Sequence, residues 1–106
     1  MSPLPTPDWY LQELVAMTAA EAKRLWRRDI KASWGDQCVY CGSTEDLTLD
    51  HVRPKAKGGR DETNNLVPAC RECNLSKSTT HWLSWWINQP TFDLGNFSRV
   101  ISHINA

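Results

Sequence analysis

All four cysteines of this chain stand in two Cys-x-x-Cys pairs, Cys38 and Cys41 in "CVYCG" and Cys70 and Cys73 in "CREC". No other feature restricts the fold as tightly. Each pair forms a knuckle whose backbone turn brings two sulfurs toward one ion, and two knuckles complete the tetrahedral thiolate set that zinc takes in structural sites. With every position filled by protein, such an ion has no open site for chemistry. A redox dithiol would need one pair at a helix start in a thioredoxin-like frame, and the surrounding sequence offers none. The chain has 106 residues, which suits a single domain, residues 1–106, with a small core that a metal would help to hold.

The flanking segments read as helices and loops. Residues 1–17 are expected to form a proline-rich arm and a short helix capped by Asp8 and ending near Met17. Thr18-Ala-Ala-Glu21 is a capping-box pattern, so a helix should occupy 18–35, with Ala22, Leu25, Trp26, Ile30 and Trp34 on its apolar face and Gly35 ending it. "DLTLD" alternates apolar and polar residues and reads as a strand. "RPKAKGGRDETNN" is a loop and "LVPA" a short return strand. A helix is expected from about Arg71 to Asn88, stopped by Gln89-Pro90. Within it Trp82, Trp85 and Trp86 read as core, with Trp85 the one to face outward. A last helix in 89–106 carries Phe97, Val100, Ile101 and Ile104 at helical spacing.

Formal net charge is zero, so bulk charge advertises no polyanionic partner. The distribution says more. Arg53, Lys55, Lys57 and Arg60 follow one another without an intervening acid, and Arg24, Arg27, Arg28 and Lys31 form a second cluster. No apolar run is long enough to span a membrane. "MSPLPTPDWY" lacks the basic-then-apolar pattern of a signal peptide, so a cytoplasmic location is expected, where paired cysteines favour metal over disulfide.

Between and beside the cysteine pairs runs "LTLDHVRPKAKGGRDETNNLVPACRECNLSK". Asp50-His51 stand at the end of a strand and Gly58-Gly59 in a loop. Asn65-Leu66 follow, then Cys70 to Cys73 running into Asn74, with Lys77 three residues on. This order resembles the HNH endonucleases, also called His-Me finger or ββα-metal nucleases. The resemblance covers roughly Cys38 to Lys77. It implies an α+β fold, a zinc-stapled ββα core over 36–88 flanked by helices. It implies His51 as general base, Asp50 and Asn74 as ligands of a catalytic Mg2+ or Mn2+, and Asn65 as the residue that fixes the loop and orients His51. Lys77 would reach the substrate phosphate, with Arg53, Lys55, Lys57 and Arg60 adding contacts to its neighbours. The partner would be nucleic acid, DNA first, with a dimer or protein partner left open. The family's third position is often His, and here it is Asn74.

The residues also make chemical sense singly. A near-neutral imidazole can take a proton from water; a carboxylate and an amide oxygen suit a hard divalent cation. Taken alone, Asp50 could cap a turn, Asn65 could be a plain turn residue, Asn74 and His81 could be solvated helix residues, and His103 a surface one. Adjacent strand residues point to opposite faces, so Asp50 and His51 can share a site only where the strand ends or twists. The alternative function is a non-cleaving module of the same fold that binds nucleic acid or a protein.

Overall fold

A computed structural model describes Pro7 and residues 18–106; the arm and the helix expected before Met17 lie outside the described residues. Helix α1, Ala19–Ser33, starts where Thr18 Oγ1 accepts the Glu21 N–H at 3.1 Å, half of the expected capping box. It buries Ala22, Trp26 and Ile30. The exposed side carries Lys23, Arg24, Arg27 and Arg28. Gly35, at φ +75°, turns the chain toward the first knuckle.

That knuckle is a tight turn. Gly42 N–H bonds the Cys38 carbonyl at 2.8 Å, and Gly42 adopts φ +80°, a conformation that glycine reaches without steric cost. Val39 N–H bonds the Pro68 carbonyl, which fastens the knuckle to the sheet. The sheet is a two-stranded antiparallel ribbon, β1 Leu47–His51 and β2 Leu66–Cys70. Leu47 pairs with Cys70 and His51 with Leu66. A ribbon of two strands is marginal alone; here α1, the knuckle and helix α2, Arg71–Lys77, cover it.

The helix expected over 71–88 is two helices. The first, α2, stops at Lys77, Ser78 takes φ +49°, and α3 spans only Trp82–Trp86. The break falls on Ser-Thr-Thr, residue types that compete with the helix for backbone hydrogen bonds. The turn lets the tryptophans leave the α2 direction and pack on Tyr40, Phe92 and Phe97. Trp85, expected to face outward, is buried instead. Its ring meets Tyr40 edge-on at 5.2 Å, and its indole N–H donates to Ser76 Oγ at 3.0 Å. Helix α4, Leu94–Ile104, begins three residues before Phe97 because Asp93 caps it through the Asn96 N–H. His103 on α4 is half-buried rather than a surface residue: Nε2 lies 2.9 Å from the Leu66 carbonyl, and the ring meets Trp34 edge-on.

Candidate active site and metal cluster

The four cysteine sulfurs converge. All lie within 4.8 Å of one another, with Cys41 and Cys70 Sγ 3.6 Å apart. Four Zn–S bonds of about 2.3 Å span a tetrahedron with edges of roughly 3.8 Å, so the cluster has the dimensions of a thiolate metal site. Burial pushes the Cys38 and Cys73 thiols up. Cys70 is buried too, but the Cys73 N–H and the adjoining sulfurs outweigh that and lower it. Cys70 Sγ also caps α2, accepting the Cys73 N–H at 3.4 Å. The metal cluster and the helix start are thus one structure.

The strand next to this cluster carries the candidate chemistry. Thr48 and Asp50, two apart on β1, both meet α2, as strand periodicity requires. Thr48 Oγ1 accepts from Asn74 Nδ2 at 2.9 Å, and Asp50 Oδ1 accepts from Lys77 Nζ at 3.1 Å. Asn74 Nδ2 also reaches the Leu49 carbonyl at 3.4 Å, which leaves its carbonyl oxygen for a further donor or a cation.

Asp50 is 4% exposed and Lys77 0%. Lys77, expected to reach a phosphate, is instead held inside, its ammonium shared between Asp50 and the His51 carbonyl at 3.2 Å. The other Asp50 oxygen accepts from Tyr40 Oη at 2.7 Å. Burial pushes the Asp50 carboxyl up, and Lys77 and Tyr40 pull against it. Burial, then the nearby carboxylate, holds the Tyr40 hydroxyl protonated well above its usual value. Tyr40 was not singled out in the sequence. It occupies the last variable position of "CVYC", where a buried aromatic with a hydroxyl needs a partner, and that was the available signal.

His51, the neighbour of Asp50, goes elsewhere. Its Nε2 sits 2.6 Å from Asp61 Oδ1, with the His51 side chain 25% exposed. Lys55 Nζ lies 3.3 Å from the other Asp61 oxygen, so Lys55 is partnered within the loop. The His51 hydrogen bond, then Lys55, hold the Asp61 carboxyl below the usual carboxylate range. Asp61 is a second residue that the sequence reading passed over; its signal was an acid placed directly after the basic loop.

Asn65 does fasten the loop. Its Oδ1 accepts the Arg53 N–H at 2.8 Å, and Nδ2 donates to the carbonyls of Arg53 at 3.1 Å and Arg60 at 3.0 Å. Its side chain bonds the loop backbone rather than the His51 ring. Arg53, Lys57 and Arg60 line a groove of about 690 Å³ together with His81, Trp82 and Ile104. Arg53 Nε donates to the Lys57 carbonyl, and Arg60 lies 3.6 Å from Glu62. His81 precedes α3 and so shares no helix with Asn74 or Lys77. Of the second basic cluster, Arg28 pairs with Asp29 at 2.9 Å.

A two-stranded ribbon, a short helix, a four-sulfur cluster and a histidine at the strand end define a ββα-metal core. Residues 38–80 match the family model of the HNH endonucleases. Among curated proteins it is 38% identical over 65 residues to the CRISPR-associated endonuclease Cas9 of Corynebacterium diphtheriae, covering 58% of this chain. It is 40% identical over 63 residues to that of Actinomyces naeslundii, covering 56% of this chain. The chain spans about 6% of the length of either relative. Among solved structures, the crystal structure of the Type II-C Cas9 enzyme from Actinomyces naeslundii aligns with a TM-score of 0.58 at 26% identity. That alignment covers 76% of this chain and 11% of that one.

Proposed function

We propose that this chain is a metal-dependent endonuclease that hydrolyses phosphodiester bonds, with DNA as substrate and His51 as general base. The observation that carries the reading is His51 itself. It is a partly exposed imidazole anchored by a carboxylate at the end of the β1 strand of an HNH core. A binding module needs no such group. His51 takes a proton from water, the water oxygen bonds to phosphorus, and the bond from phosphorus to the 3′ oxygen breaks. The departing oxygen takes a proton from solvent and becomes a hydroxyl, leaving a 5′ phosphate, and His51 returns its proton to solvent.

Asp50 and Asn74 offer oxygen donors of the kind that Mg2+ and Mn2+ prefer, and a divalent ion on Asp50 would take the place that the Lys77 ammonium holds there. Such an ion, when bound, neutralises charge on the phosphate and the leaving oxygen. Lys77 holds Asp50 and the end of β1 in place. Cys38, Cys41, Cys70 and Cys73 would hold zinc, whose contribution is to folding. Arg53, Lys57 and Arg60 give the groove its positive rim, which supports a path for the phosphate backbone.

The test is end-chemistry. Duplex DNA is incubated with the zinc-loaded protein and Mg2+ or Mn2+, and the termini are labelled. The expected products carry 5′ phosphate and 3′ hydroxyl groups. An absence of new termini with any divalent ion, on duplex and on single strands, would reject the reading.

A further inference from the structure

Asp61 lies ten residues beyond His51, yet its carboxylate touches the imidazole, and three features place it there. The chain reverses at Gly59, where a Cβ would land on the Arg53 carbonyl, so only glycine permits so close a return. Asn65 then clamps both sides of the reversal through Arg53 and Arg60, the residue before Asp61. Lys55 engages Asp61 Oδ2 and thereby aims Oδ1 at the ring. The basic loop is therefore also a device for presenting one acid to one histidine.

That contact fixes the tautomer of the ring in its neutral form. An aspartate carboxyl near neutral pH is ionised and only accepts. At 2.6 Å it must receive the Nε2–H. A neutral imidazole has a single N–H, so the lone pair is on Nδ1.

We propose that Asp61 is a positioning residue for His51: by taking the Nε2–H it fixes the rotation and tautomer of the ring and leaves Nδ1 as the nitrogen that accepts the proton from water. The proposal rests on the reading of His51 as the general base. It gives Lys55, a cation of the basic loop, the duty of orienting Asp61.

Two readouts on the full chain separate the pairing from the function. In the nitrogen-15 spectrum of the neutral ring, wild type is expected to show a slowly exchanging proton on Nε2 and an unprotonated Nδ1. Asp61→Ala should lose that slow exchange, and Asp61→Asn, which keeps an acceptor oxygen, should retain much of it. In DNA cleavage, Asp61→Ala should lower kcat roughly 10- to 100-fold, part of what a positioned base supplies, with KM essentially unmoved and Asp61→Asn intermediate. An unprotonated Nε2 in wild type, an Asp61→Ala spectrum identical to it, or unimpaired cleavage by Asp61→Ala would overturn the proposal. A bonded Nε2–H in a wild type that cuts no DNA would uphold the pairing and remove the nuclease reading instead.

Discussion

Asp50 is the most constrained side chain in the site. Its two oxygens take one donor each, Tyr40 Oη and Lys77 Nζ, in a setting almost closed to water. Removing one partner from a buried ion pair leaves an uncompensated charge, at a cost of about 3–5 kcal/mol. Lys77→Met is therefore expected to lower stability by that order in a denaturant titration. Added Mn2+ should recover more stability in this variant than in wild type, because the cation meets a carboxylate freed of its ammonium. Equal effects of Mn2+ on both proteins would remove Asp50 as a cation site. Tyr40→Phe deletes one donor to the same carboxylate and should cost about 1–3 kcal/mol, with the metal cluster retained. A variant as stable as wild type would mean that Asp50 finds another donor.

At the scale of elements, the loop between the strands governs where His51 points. Asn65 makes three hydrogen bonds to the loop backbone, and Gly59 admits no side chain. Asn65→Ala should leave the fold and metal content intact while cleavage falls at least tenfold, through loss of loop geometry. Full activity in that variant would detach the loop from the chemistry.

The strands, α1 and the knuckles were legible in the sequence because their signals are local: a capping box, alternation in "LTLD" and ligand spacing in the cysteine pairs. The helix break at Ser78 was not, because the apolar pattern of Trp82, Trp85 and Trp86 continues the helical period while tertiary packing turns it aside. Trp85 illustrates the same limit: its burial depends on Tyr40 and Ser76, partners remote from α3 in sequence. The order of Asp50, His51, Asn65 and Asn74 along the chain was visible as a family pattern. The contacts to Tyr40 and Asp61 arise only when the knuckle and the loop fold back on β1, and no periodicity encodes them.

In the whole molecule, the cysteine cluster and the candidate site are one construction. The first knuckle supplies Tyr40 to Asp50, and the second ends β2 and caps the helix that carries Asn74 and Lys77. Trp86 donates its indole N–H to the Tyr40 carbonyl, so the aromatic core closes over the same knuckle. Metal loss should therefore disorder the site as well as the fold. The purified chain is expected to carry about one Zn2+. A strong chelator should abolish its cooperative thermal unfolding, and added zinc should restore it. An unchanged transition after verified metal removal would show that the core stands without the staple.

His51 is proposed as the base of a phosphodiester hydrolase. The direct measurement is supercoiled plasmid cleavage in Mg2+ or Mn2+ by wild type beside His51→Ala, both confirmed to hold zinc. Nicking or linearisation by wild type, reduced about 10²- to 10⁴-fold in the variant, is the predicted result. Equal cleavage by the two proteins would show that His51 is not the base.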